Sequence, residues 1–193
     1  MRNFINLTVL LLLLVFPVAG QDLLKGQKRW SETEKLSLED YSIKKNYKDA
    51  ILSQFLISYE SKGFDFLRKN LNSRVENIFV GNGSFIDTTK IVNLEKHLEF
   101  QQLQFDIAEI QARKFRKRLF LGKKKLVKGF EMMKLISNEI SNEFAQIRMQ
   151  FINETNNGAN LIVLQEWKIK LQKELNELNE FRFENRKKIK RRN

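Results

Sequence analysis

The sequence predicts an α+β domain, and three observations carry that expectation. Apolar residues alternate at period two over residues 50–59 and again over 74–80, which is the strand pattern. From about residue 90 they recur at threes and fours in three long blocks, which is the helical pattern. Turn signals separate these blocks, and there is no internal repeat and no low-complexity linker.

Residues 1–20 read as a secretory signal peptide. Arg2 is the only charge before Asp22, an apolar core runs from Val9 to Val15, and Pro17, Ala19 and Gly20 follow. That order of charge, apolar core and small residues is the export pattern. The apolar run is short against the roughly 20 residues of a membrane span. Cleavage after Gly20 leaves 173 residues (193 minus 20), with neither proline nor cysteine. A chain of that size forms one domain with a real core. The lack of cysteine excludes disulfides, thiolate metal sites, cysteine nucleophiles and a lipoprotein anchor. The expectation is an exported protein of the periplasm or the extracellular space, with a single domain over 21–193.

Residues 21–29 form a polar lead-in. In RWSETEKLSLEDY, Trp30, Leu36, Leu38 and Tyr41 stand among polar neighbours, which predicts an extended segment and a turn that anchor the N-terminus to the core. The stretch 50–59 is expected as one strand, with Ile51, Phe55, Ile57 and Tyr59 on one face. A polar connection with a helical turn near Phe64–Leu71 leads to a second strand, 74–80. Gly81-Asn82-Gly83 closes it, and Ser84-Phe85-Ile86 extends or re-enters the sheet, so the sheet spans about 50–59 and 74–86.

The first helix is expected over about 90–120. Leu98, Phe105, Ala108, Ala112, Phe115 and Leu119 share one face, and Phe100, Leu103, Ile107 and Ile110 form a second. A helix apolar on two faces is more buried than a surface helix. The second helix, about 123–152, follows Gly122 and carries Leu126, Phe130, Met133, Ile140, Phe144, Ile147 and Phe151. Asn156-Asn157-Gly158 is a helix-stop signal. The third helix, about 161–185, carries Leu164, Trp167, Leu171, Leu175 and Leu178.

The formal charge is +12, or +11 once Arg2 leaves with the signal peptide. One basic block holds Lys114, Arg116, Lys117, Arg118, Lys123, Lys124, Lys125 and Lys128; a second forms the C-terminal tail, 186–193. Such blocks suit an anionic surface. The plain alternative is a solvated helix end and a frayed tail. No nucleic-acid recognition motif is present, so no nucleic-acid partner is expected.

Four segments, taken in order, resemble a family of exported bacterial proteins with a domain of unknown function, regarded as zinc-metallopeptidase-like (zincin-like). The family pattern H-E-x-x-H-F-D-I-x-E-x-x-A-R is matched in its second half by Phe105, Asp106, Ile107, Glu109, Ala112 and Arg113. An upstream tryptophan-to-aspartate pattern matches Trp30, Leu36, Asp40 and Tyr41, and a Ser-aromatic-aliphatic triplet matches Ser84, Phe85 and Ile86. A downstream E-T-x-H-G…Q-x-x-W pattern matches Glu154, Thr155, Gly158, Gln165 and Trp167, with the tryptophan at a slightly different spacing. The resemblance implies a zincin-like fold, with a small sheet packed on the motif helix and further helices behind.

In such a motif two histidines at i and i+4 bind zinc, and the glutamate is the general base. The resemblance places Phe100 at the first histidine, Gln101 at the general base, Gln104 at the second histidine and Asn157 at a third ligand. A phenyl ring cannot ligate, and neutral amides are poor zinc ligands and no base. The implied reading is a scaffold kept after its metal centre was lost, with no cofactor. Gln101, Gln104 and Asn157 are then expected to bond to one another.

Other chemistry is thinly supported. His97 is the only histidine. A shifted metal site would need it beside Glu99, Asp106 or Glu109; the plain reading is a solvent-facing or hydrogen-bonded side chain. Glu109 and Arg113 read as an i, i+4 helix ion pair, and Asp106 as a group that orients Gln101 or the backbone. There is no G-x-S-x-G elbow and no phosphate-binding glycine loop. The sequence therefore favours a non-catalytic envelope binding or structural protein whose partner is an unknown envelope protein or an anionic surface. An active hydrolase with a metal site around His97, or a basic binder of anionic lipid or polysaccharide, is the alternative.

Overall fold

A computed structural model describes residues 23–43, 49–60, 70–123 and 131–190. It is a mixed α+β fold of two three-stranded sheets and three long helices. The strands are β1 (Gln27–Arg29), β2 (Ser42–Ile43), β3 (Ile51–Leu52), β4 (Phe55–Tyr59), β5 (Val75–Val80) and β6 (Phe85–Ile86). The helices are α1 (Leu94–Leu121), α2 (Glu131–Glu154) and α3 (Leu161–Glu177). The turn expected near 64–71 and the start of the second helix fall largely outside the described residues.

The first sheet is antiparallel, in the order β1-β5-β4, and β5 lies at its centre against α1. The second, β2-β6-β3, is mixed: β2 runs parallel to β6 and β3 antiparallel. The stretch 50–59 is therefore two strands in two sheets, where one had been expected. Its alternation continues through Ser53 and Gln54, yet the pairing partner changes there. Val80 N donates to Gln54 O, while Gln54 N donates to the Ser84 hydroxyl. The cause is Gly81–Gly83, which turns β5 into β6. A Cβ at Gly81 would collide with the backbone oxygens of Asp40 and Gly26.

Every residue of α1 from Phe100 to Arg113 is buried. Its apolar side chains join Trp30, Phe79, Phe151, Trp167 and Leu171 in one core cluster. Its later half joins Leu71, Val75, Met133 and Ile140 in a second. Trp30, Leu36 and Tyr41 are buried in the main cluster and Leu38 packs on it, as the anchoring role of the N-terminal segment requires.

A helix buried all round must find partners for its polar residues. Glu109 Oε1 accepts from Arg113 Nε at 3.0 Å and from Arg116 Nη1 at 2.8 Å. Arg113 also donates to Leu175 O at 2.6 Å, and Arg116 donates to Phe181 O and twice to Val75 O. The expected i, i+4 pair of Glu109 with Arg113 is present, and Arg116 extends it into a buried triad that ties α1 to β5 and to the end of α3.

This triad also explains why α3 stops at Glu177, eight residues before its expected end. Its Leu175 carbonyl meets Arg113, the Phe181 carbonyl beyond it meets Arg116, and the chain then turns inward. Asn72 donates to Glu180 O and Arg182 O, and Asn70 donates to Asn185 O and Lys187 O. Phe181, Phe183 and Ile189 are buried. Residues 186–190 of the basic tail are therefore docked on the fold, not frayed.

Replacing Glu109 by alanine strands two guanidinium groups in the core. It is expected to cost about 3–5 kcal/mol, read as a lowered urea midpoint. A loss below about 1 kcal/mol would mean that backbone carbonyls alone sustain the two arginines.

Candidate functional site

The positions that the motif assigns to a metal lie on α1 and on the turn between α2 and α3. That turn is built by Thr155, whose hydroxyl donates to Phe151 O at 2.6 Å and accepts from Gly158 N at 3.2 Å. Asn156, Asn157 and Gly158 follow with φ of 49°, 54° and 82°. Asparagine and glycine are the residues that adopt this left-handed conformation at least cost.

The turn presses Gly158 onto Phe100, where an added Cβ would lie 2.8 Å from the ring. Phe100 stacks on Phe151 with centroids 5.1 Å apart, and Phe151 meets Trp167 edge-on at 5.4 Å. Trp167 Nε1 donates to Glu154 Oε2 at 2.8 Å. Hydrogen bonds from Gln150 and then Trp167 hold the Glu154 carboxyl below the usual glutamate range. Glu154, Thr155, Gly158 and Trp167, the residues that carry the downstream resemblance, thus form one packed corner around Phe100.

Gln101 and Gln104 bond to each other, with Gln104 Nε2 donating to Gln101 Oε1 at 3.0 Å. Asn157 is not part of that pair. Its side chain is exposed, and it lines a small hollow of about 140 Å³ with His97 and Phe100. The remaining partner is Arg148 from α2, which sequence reasoning missed. Its Nε donates to Gln104 Oε1 at 2.8 Å and its Nη2 to Ser53 O at 3.2 Å. Burial lowers its pKa from the usual arginine value, yet a guanidinium stays charged in proteins.

These residues do not fit zinc. A ring fills the first ligand position, and a fixed cation holds the oxygen at the second, where a dication would be repelled. His97 Nδ1 lies 2.8 Å from Asn93 O, as the plain reading has it. Its hypothetical co-ligands are engaged elsewhere: Glu99 with Lys168, Asp106 with Trp30, and Glu109 with two arginines. Among the described residues no three histidine, aspartate or glutamate side chains gather to hold a metal.

The basic block on α1 is less available than its composition implies. Arg116, counted among the anion-binding candidates, has a fully buried side chain and belongs to the triad. Lys114 pairs with Glu174, and Arg118 with Glu139 and Glu143. Lys117 is exposed and Lys123 half-buried. Lys124 and Lys125 lie outside the described residues.

Asp106 stands on another face of α1. It orients neither Gln101 nor the backbone: its Oδ1 accepts from Trp30 Nε1 at 2.7 Å and from Gln102 Nε2 at 2.9 Å. Gln102 in turn accepts from Leu36 N at 2.9 Å. This connects the upstream tryptophan pattern to the helix motif. Gln102 went unrecognised as a site residue, although its i, i+4 spacing to Asp106 was visible. Beside them a groove of about 750 Å³ runs between α1, α3 and the segment at Lys35–Leu36. Burial pushes the Asp106 carboxyl above the usual aspartate range, against the hydrogen bonds from Trp30 and Gln102 and the nearby charge of Lys35.

No family model matches the chain, and neither a curated protein nor a solved structure matches it.

Two outcomes follow from this geometry. Gly158→Ala is expected to cost about 1–3 kcal/mol through strain and contact with Phe100. In a Phe100→Ala background the same change should cost at least ~0.5 kcal/mol less; equal costs in the urea curves would separate the two residues. The raised pKa of Asp106 means that the folded state holds its proton more tightly than the unfolded chain. The stability of the wild type relative to Asp106→Asn should therefore be greatest in acid. It should fall as pH rises from about 4 until the carboxyl has ionised, then stay flat. A difference that grows with pH would reverse the assignment.

Proposed function

We propose that this chain is an exported, non-catalytic protein of the bacterial envelope, built on a zincin-like scaffold, that acts by binding or as a structural element. The observation that carries this reading is Arg148 on Gln104. A permanent positive charge, bonded to the side chain at the second ligand position, takes up the role of tying α1 to its surroundings. Phe100 under Gly158 supports it at the first ligand position. General-base chemistry has no agent there, because Gln101 is a neutral amide and its oxygen already accepts from Gln104.

The scaffold part of the reading draws support from the way the motif remnants meet. Trp30 reaches Asp106, Glu154 reaches Trp167, and Gly158 reaches Phe100, across long stretches of sequence. Export rests on the leader pattern of residues 1–20. No helix among the described residues is long and apolar enough to cross a membrane.

Metal content tests the proposal. The protein, purified without chelator, is expected to hold almost no zinc by elemental mass spectrometry. Its melting temperature should be unmoved by added zinc. About one zinc per chain, removable with loss of stability, would overturn the reading and direct mutagenesis to His97.

A further inference from the structure

The groove beside Asp106 lies away from the refilled metal turn. Glu95, Leu98, Gln102 and Asp106 follow one another at three, four and four residues, so they share one face of α1. Gln101 and Gln104 lie on a different face. The groove volume, about 750 Å³, falls within the roughly 300–1,000 Å³ of small-molecule pockets. Leu36, Leu94, Leu98 and Leu103 supply an apolar wall.

Asp106 is the buried acidic residue among those that line the groove. It is 8 % exposed, and both of its hydrogen bonds fall on Oδ1. Oδ2 takes no hydrogen bond from any described residue, and Asp106 is among the residues that line the groove. A buried carboxylate with a bare oxygen gains most from a positively charged donor. The lysines of the groove do not supply one directly. Lys168 is paired with Glu99, and the Lys35 ammonium lies over the Trp30 ring. Glu95, exposed at the rim, adds a further negative charge.

We propose that this groove binds a small amphiphilic cation, with an ammonium head on Asp106 Oδ2 and an alkyl chain along Leu36, Leu94 and Leu98. Trp30 and Gln102 position the carboxyl by holding Oδ1, which leaves Oδ2 for the ligand. The site uses none of Phe100, Gln101, Gln104 and Asn157, the four positions that the resemblance assigns to zinc ligands and base.

Calorimetric titration of the full chain with decylamine, decanoate and decanol, each below its self-association limit, tests the site. Decylamine is expected to bind at least tenfold more tightly than the other two. Asp106→Asn keeps an oxygen for Trp30 and Gln102 and should lower decylamine affinity at least tenfold. Leu98→Trp fills the groove with Asp106 untouched and should abolish binding. Three equal affinities or a preference for decanoate would overturn the proposal. So would no decylamine binding, or an unchanged affinity in either folded variant.

Discussion

The fold depends on a buried carboxylate shared by two buried guanidinium groups. Glu109, Arg113 and Arg116 lie on the helix that the rest of the chain encloses, and their charges cannot reach water. Buried charge is tolerated only when it is paired and its remaining protons find acceptors. The acceptors here are backbone carbonyls of Val75, Leu175 and Phe181, which belong to β5, α3 and the turn beyond α3. The triad therefore fixes where three other parts of the chain sit. An apolar core tolerates sliding more readily than a set of directional bonds to particular carbonyls.

The same constraint runs along the whole of α1. Gln104 is satisfied by Gln101 and Arg148, Gln102 by Leu36 N and Asp106, and Asp106 by Trp30. Gln111 is an exception, with neither side-chain polar atom bonded among the described residues. The helix thus presents two chemically different sides. One is closed by Phe100, Gly158 and Arg148, where packing and a fixed cation tie α1 to α2 and to Ser53. The other opens into a groove lined by Gln102 and Asp106.

Much of the strand and helix content was legible in local pattern. Period-two alternation marked β4 and β5, and the doubled apolar face of α1 announced its burial. The amides of FQQLQ announced a polar interior that needs partners. The identity of those partners was not legible. Arg148 lies 44 residues from Gln104 in the chain and Trp30 lies 76 from Asp106, and local spacing carries no information about such pairs. The end of α3 was misplaced for a related reason. Leu171, Leu175 and Leu178 continue a helical pattern, but Asn70 and Asn72 hold the carbonyls beyond it in a different course.

By itself, the sequence determined which side chains are available and which chemistry they exclude. With no cysteine and one histidine in the chain, and with Phe100, Gln101 and Gln104 on one stretch of α1, that stretch offers none of the usual zinc ligands. The sequence also marked the three helices and the strands β4 and β5, because apolar periodicity is local, while β1 fell in what reads as a polar lead-in. Only the tertiary structure decided that 50–59 divides between two sheets, that Arg116 is buried, and that Asp106 bonds Trp30 and Gln102 beside a groove. Those outcomes depend on which groups share a low-dielectric interior, and that follows from how distant segments close around α1.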